Sequence, residues 1–282
     1  MIIVGNETGL AARIKNIVSA LRRSHVYNDQ VVIHNFDHHY IFYLEQIANR
    51  TLDYQDWYLT WKLEDPQVDT KLLYDETQKT VVLNQYGPPS IYHNVIDFQF
   101  DNITLETRQK WIQYFNLLKW NPYLLAEVDR LYIELDLKDA VGVHMRSWYE
   151  DKIKKAVCGL YDIDMFVRSI ESLSPKKIFL CADHVSVVDD LHKALDPSIQ
   201  IITRENYLPA QRHIEFDNNI DILVYAGIDL LLLSRCQTIV GSYQSTFTEV
   251  AWWIGQCLPK MIVPVPDCVI QEAQQFELEK QN

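Results

Sequence analysis

What most constrains this chain is a repeated alternation of short, wholly apolar runs with longer helical stripes. Ile2-Ile3-Val4 is followed by the turn residues 5–9. Residues 10–23 then carry an apolar stripe at Leu10, Ile14, Ile17, Val18 and Leu21, and Val31-Val32-Ile33 comes next. A stripe of period 3.6 is a helix with one buried face. An apolar run without in–out alternation is a strand covered on both faces, as in parallel sheets. The opening therefore reads as a βαβ unit.

The same alternation returns later and more regularly. Strands are expected at Ala140-Val141-Gly142-Val143-His144-Met145, Lys177-Ile178-Phe179-Leu180-Cys181, Ile199-Gln200-Ile201-Ile202, Thr238-Ile239-Val240 and Met261-Ile262-Val263. Helices are expected between them over 164–173, 185–195, 218–234 and 247–256. Between the two patterns, residues 37–85 lack periodicity and are rich in aromatics (Tyr54, Trp57, Tyr58, Trp61), with one candidate strand at Val81-Val82-Leu83. Residues 104–132 read as helical. The fold class is α/β, with two doubly wound halves facing across a cleft. The expected domains are residues 1–130 and 131–268, with 269–282 a helix returning to the first half. Ligands in such sheets sit beyond the carboxyl ends of the strands.

Composition narrows the function. With 26 Lys and Arg against 38 Asp and Glu, the net charge is −12. A surface this acidic is a poor general binder of nucleic acid or anionic membrane, so any anionic ligand is held by a few placed residues. The apolar run at the N-terminus ends at Val4, too short for a secretory signal. No stretch approaches the roughly 18 apolar residues of a membrane span. Five cysteines without tight spacing argue against a disulfide framework or a structural zinc site. The expectation is a soluble intracellular protein with no integral membrane segment.

Three strand ends carry the chemistry. The first is His144-Met145-Arg146, running into Ser147-Trp148-Tyr149-Glu150-Asp151. An Arg at the end of a buried strand presents a fork suited to phosphate, or simply pairs with a surface carboxylate. The second is Ala182-Asp183, where the acid either caps the next helix or accepts from a nucleoside hydroxyl or base edge. The third is Gly241-Ser242-Tyr243-Gln244-Ser245-Thr246-Phe247-Thr248-Glu249. Thr246 and Glu249 have capping-box spacing, and the free N–H groups of such a helix start also favour phosphate. The turn at residues 5–9 and the following Arg13 form neither a P-loop nor a dinucleotide fingerprint.

Taken together, these segments resemble the fucosyltransferase superfamily of GT-B glycosyltransferases, which includes α1,2-, NodZ-like α1,6- and protein O-fucosyltransferases. Gly9-Leu10-Ala11-Ala12-Arg13 stands where that group has a G-L-G-N-R-type turn. His144-Met145-Arg146 matches its H-x-R strand end, and Ala182-Asp183 its (T/S/A)-D. Asp229 with Leu233-Ser234-Arg235-Cys236 matches its D…L-S-x-C/A run, and residues 241–251 its G-(S/T)-x-S-(S/T)-F-(S/T)-x-x-A. The resemblance spans roughly residues 1–265 and is strongest in the C-terminal half. It departs from the family at Ala11 and Ala12, and after Arg146.

The resemblance implies two Rossmann-like domains, an acceptor-side one first and a nucleotide-sugar-binding one second. It implies an inverting, metal-independent transferase that takes fucose from GDP-fucose to a glycan hydroxyl, with no cofactor required. The donor-binding set is then Gly9, Arg13, His144, Arg146, Asp183, Ser242, Ser245, Thr246 and Phe247. Arg146 would hold the β-phosphate as the sugar leaves, Ser245 and Thr246 the diphosphate, and Asp183 the nucleoside. The acceptor proton needs a base. Glu150 and Asp151, just past the Arg strand, are favoured over Glu7 and Asp37. The expected catalytic set is thus Arg146, Glu150 and Asp151. No metal site is expected; Asp37-His38-His39 comes nearest to one. Trp148 and the aromatics of 54–61 are candidates for sugar stacking or for core. Two alternatives stay open: another nucleotide-sugar donor, or a catalytically silent nucleotide- or glycan-binding protein of the same fold.

Overall fold

In the computed structural model the described residues are 2–4, 10–27, 31–34, 50–52, 81–83, 103, 105–147, 162–204, 220–242 and 245–264. They divide into two compact units. One takes in the described residues of Met1–Ile96, Asp101–Leu131 and His213–Leu231. The other takes in those of Asp97–Phe100, Tyr132–Arg212 and Leu232–Asn282.

The first unit is built on four parallel strands: β1 (Ile2–Val4), β2 (Val31–His34), β3 (Arg50–Leu52) and β4 (Val81–Leu83). Their order is β3-β2-β1-β4. Ile2 pairs with Val31 on one side and Val81 on the other, so the sheet is wound outward from β1 in both directions. α1 (Leu10–Tyr27) buries Leu10, Ile14, Ile17, Val18 and Leu21, the stripe read from the sequence. β3 falls where the sequence shows no periodicity. Its Arg and Thr carry no apolar signal, and what the backbone shows is pairing with β2, Val32 with Arg50 and Ile33 with Thr51.

The single helical stretch expected over 104–132 is two helices, α2 (Leu105–Phe115) and α3 (Pro122–Glu134). α2 ends at Phe115, and Pro122 marks the start of the second helix. It cannot donate within a continuing helix, but it fits the first position of a new one. Asn121 Oδ1 caps that start by accepting from the Tyr123 N–H at 2.9 Å. Within the first unit Arg22 of α1 lies 5.5 Å above the Trp111 ring of α2. His25 Nδ1 lies 3.2 Å from the Tyr114 hydroxyl.

Among its described residues the second unit has five parallel strands: β5 (Val141–Met145), β6 (Lys177–Ala182), β7 (Gln200–Ile202), β8 (Thr238–Gly241) and β9 (Lys260–Ile262). Between them run α4 (Ile163–Glu171), α5 (Val185–Ala194), α6 (Ile220–Ser234) and α7 (Thr246–Ile254). The strand order is β7-β6-β5-β8-β9. Numbered within the unit this is 3-2-1-4-5, the doubly wound order, with its switch point between β5 and β8. The boundary between the units falls inside α3 and α6.

Both faces of this sheet are covered, which is why its strands read as unbroken apolar runs. Val143, Met145, Ile178, Leu180 and Val240 pack with Phe166 and Ile170 of α4 and Val187 and Leu191 of α5. The intervening residues face the other way. There Gly142 is hard against the end of α6 and the turn after it: a Cβ would lie 2.7 Å from Leu233 Cδ1 and 3.0 Å from Cys236 Sγ. A β-carbon cannot fit without shifting both. Gly142→Ala is expected to cost about 1–3 kcal/mol, as overpacking does. Urea unfolding checks this, and a loss below about 0.5 kcal/mol, the scale of an ordinary surface change, would show that the α6 end yields freely.

Candidate functional site

The ladder brings three strand ends to one edge. Met145 pairs with Ala182, and His144 with Gly241. Arg146 therefore leaves β5 between Asp183, at the end of β6, and Ser242, at the end of β8. This is the switch point, where sheets of this winding take their ligands.

Arg146 is fixed from both neighbours. Its backbone N–H donates to Ser242 Oγ at 2.7 Å, and Ser242 Oγ donates to the His144 carbonyl at 3.0 Å. On the other side Arg146 Nη1 donates to Asp183 Oδ2 at 3.1 Å, the two side chains being only 20% and 13% exposed. The other carboxylate oxygen, Oδ1, accepts twice from Ser147: from its N–H at 2.9 Å and its hydroxyl at 2.7 Å. Ser147 is fully buried.

Asp183 is not the cap of α5. His184 is: its Nδ1 accepts from the Ser186 N–H at 3.1 Å. A carboxylate directly before a helix looks like a cap in sequence. Here the strand runs one residue further, and Asp183 turns across to β5.

His144 lies under the third segment. Its ring is buried and stacks on Phe247 with centroids 4.7 Å apart. Its Nδ1 and Thr248 Oγ1 share a hydrogen bond of 2.8 Å. Burial is the main reason its pKa falls to about 3; Asp183 works against that fall and Arg146 adds to it. His144 is thus a neutral ring that ties β5 to α7. The close approach needs Gly241, because a Cβ there would meet Thr248 Cγ2 at 2.1 Å.

α7 begins one residue earlier than the capping-box spacing suggested. Ser245 is the N-cap residue, extended at φ −95° and ψ 115°, and its side chain makes no capping bond. Glu249 is buried and accepts from Trp253 Nε1 at 3.2 Å. One of its carboxylate oxygens is thus taken up one turn along its own helix. The first N–H groups of α7 and the hydroxyls of Ser245 and Thr246 therefore belong to a helix start without a side-chain cap, the polarity that suits an anion.

The structure thus brings His144, Arg146, Asp183, Ser242, Ser245, Thr246 and Phe247 to the ends of β5, β6 and β8. Of Arg13 only the backbone is described, in the first turn of α1. Gly9, Glu150 and Asp151 lie outside the described residues, as do Glu7, Asp37-His38-His39, the aromatics of 54–61, Trp148 and the tail 269–282. Sequence reasoning missed Ser147 and Thr248 as members of the site. Register alone sets Ser147 against Asp183, and no residue pattern announces it. Among the described residues no cluster of His, Cys, Asp or Glu is placed to hold a metal ion, and no helix is long and apolar enough to cross a membrane. Cys181, Cys236 and Cys257 are not in disulfides, and burial pushes Cys236 up to about 12.

A doubly wound parallel sheet with a cation and a helix start at its switch point is an α/β architecture whose ligands sit at the strand ends. Solved structures specify it further. The chain resembles NodZ alpha-1,6-fucosyltransferase co-crystallised with GDP, with a TM-score of 0.56 at 18% identity over 89% of this chain and 91% of that one. It resembles the fucosyltransferase NodZ from Bradyrhizobium at 0.52 and 18%, over 89% and 91%. It resembles POFUT1 in complex with GDP-fucose at 0.51 and 14%, over 93% and 98%. The protein has the α/β fold of these GT-B-like fucosyltransferases. No protein-family model and no curated protein matches the sequence.

The neutral His144 has a measurable consequence. An unfolded chain with an ordinary His, near 6.5, takes up a proton that the folded site refuses until about 3. Stability should therefore fall as pH drops through this window, by at most about 1.4 kcal/mol per unit from this group. His144→Asn should flatten that slope. Denaturant unfolding at about pH 7 and about pH 4.5 compares the two proteins, and equal slopes would exclude His144 as the source.

Proposed function

We propose that the protein is an inverting, metal-independent glycosyltransferase that moves fucose from GDP-fucose to a glycan hydroxyl. The observation that carries this reading is Arg146, held at the switch point beside the start of α7. The likeness to solved fucosyltransferases, including NodZ soaked with GDP-fucose, supports it. In this reading residues 131–268 serve the donor and residues 1–130 the acceptor.

The chemistry follows from charge. As the bond from the sugar's anomeric carbon to the diphosphate breaks, negative charge grows on the leaving phosphate. The Arg146 guanidinium meets it with a fixed cation, and the α7 N–H groups, with the hydroxyls of Ser245 and Thr246, meet it with oriented dipoles. Preorganised donors of this kind stabilise developing charge without reorganising during the step. The acceptor oxygen forms its bond on the opposite face of the sugar, and Glu150 or Asp151 takes its proton. Gly9 and Arg13 are assigned to the donor as well. Glycan and nucleotide sugar are the partners; the −12 charge leaves no general nucleic-acid surface.

The run Ser147-Trp148-Tyr149-Glu150-Asp151 after Arg146 departs from the family pattern. This favours, as a second reading, a different sugar on the same kind of donor. A thermal-shift panel of GDP, UDP, ADP, CMP and their sugar conjugates separates the readings. A ligand at 100 times its Kd should stabilise the fold by about 2.7 kcal/mol. GDP and GDP-fucose alone are expected to act. A shift with another nucleotide would discard fucose, and a flat panel would point to a silent binding protein.

Arg146→Ala should lower turnover by at least about 10²-fold with the far-UV spectrum unchanged. Nucleotide release from the donor gives the rate, and surviving activity would overturn the phosphate assignment. Turnover should also be unaffected by a chelator.

A further inference from the structure

We infer that Ser242 is a positioning residue: its hydroxyl forms the last rung between β8 and β5 and holds Arg146 in place, rather than touching the donor. The inference rests on the donor reading above and deepens it. It departs from the resemblance, which puts Ser242 in the donor-binding set.

In a parallel pair, a residue donates its N–H to one carbonyl of the neighbouring strand. Its own carbonyl accepts from the N–H two residues further along that strand. β8 ends at Gly241, opposite His144. One more rung would set Ser242 opposite Met145, with its N–H on the His144 carbonyl and its carbonyl on the Arg146 N–H. Those same two groups of β5 are met by the Ser242 side chain instead. The hydroxyl donates to the His144 carbonyl at 3.0 Å and accepts from the Arg146 N–H at 2.7 Å. A hydroxyl can give and accept at once, so it stands in for a backbone N–H and C=O together. On the other edge of β5 the Met145 carbonyl accepts from the Asp183 N–H at 3.4 Å, so the strand end is held from both sides.

The substitution lets the Ser242 backbone leave the sheet. Its carbonyl accepts from the Ser245 N–H at 3.3 Å, at the N-cap of α7. One residue thus sets both arms assigned to the diphosphate. Its side chain places the Arg146 backbone, and its carbonyl places the start of α7. Binding a phosphate is a different task. A phosphate oxygen accepts, and a serine hydroxyl has a single proton to give. The proton of Ser242 is on the His144 carbonyl. Ser242 is buried, so turning its hydroxyl to a ligand would strip the His144 carbonyl and the Arg146 N–H of this partner at a cost.

Isothermal titration with GDP tests this on the full chain, on Ser242→Ala, on Arg146→Ala and on the double variant, circular dichroism confirming the fold. Ser242→Ala alone is expected to weaken binding about tenfold, because the guanidinium loses its fixed base. In the Arg146→Ala background the same change should alter binding by no more than about twofold, since no guanidinium is left to place. An unchanged affinity in the native background overturns the inference. So does a loss of equal size in both backgrounds, because a direct bond to the donor or a general loosening of the sheet would persist without Arg146. An Arg146→Ala protein that no longer binds GDP overturns it as well, since the α7 start would then be no arm of its own. A native protein that gives no heat with GDP removes the GDP-donor reading and this inference with it. Ser242→Cys, whose thiol is weak both as donor and as acceptor, serves if the alanine variant does not fold; the same dependence on Arg146 is expected.

Discussion

Everything at the candidate site depends on the backbone register between β5 and its two neighbours. Met145 opposite Ala182 and His144 opposite Gly241 set three strand ends level. A parallel sheet spaces its strands by about 4.8 Å, so residues just past these ends are within reach of one another's short side chains. Asp183 reaches Ser147 and Arg146 because of this spacing, and Ser242 reaches the Arg146 backbone from the other side. A one-residue slip of β6 would put Phe179 and Cys181 where Ile178 and Leu180 pack against α4 and α5, side chains of different shape. The hydrophobic packing of the sheet therefore enforces the polar geometry at its edge.

The site divides into a rigid floor and a charged rim. His144, Phe247, Thr248 and Gly241 make the floor, where burial keeps the ring neutral and removing a β-carbon lets helix meet strand. Arg146 and Asp183 make the rim, partly exposed and of opposite charge. With side chains only 20% and 13% exposed, the pair offsets much of its attraction by desolvation, so its value lies in orientation. The buried Glu249–Trp253 bond serves the floor: it spends a carboxylate inside α7 and leaves the helix start to Ser245 and Thr246.

Much of this was legible in the sequence, and the rest was hidden for physical reasons. The central strands of the second unit announce themselves because both faces are buried, so most of their positions are apolar. Their ends then stand out where Arg146, Asp183 and Ser242 interrupt the run. β3 was hidden because its Arg and Thr lack the apolar signal and the ladder is independent of side-chain identity. The split between α2 and α3 was readable at Asn121-Pro122, a start signal inside an apparently continuous stripe. Local spacing misled in two places. Asp183 precedes a helix yet caps nothing, and Thr246 with Glu249 spaces a capping box that does not form. Asp183 is taken by Ser147 and Arg146, distant in sequence, and Glu249 accepts from the indole of Trp253, one turn along the same helix.

The way the units share the chain bears on how the protein is made. The first unit includes His213–Leu231, although the last of its described strands ends at Leu83. A chain emerging from the ribosome therefore presents β1 to β4 long before the segment containing most of α6 exists to join them. Most of the second unit is synthesised in that interval. Domains usually fold as units in order of synthesis. Here the later-encoded sheet core, up to β7, is available while the earlier one still waits for its last helix. The second sheet in turn gains β8 and β9 only after α6, so neither unit has all its described elements until most of the chain has been made.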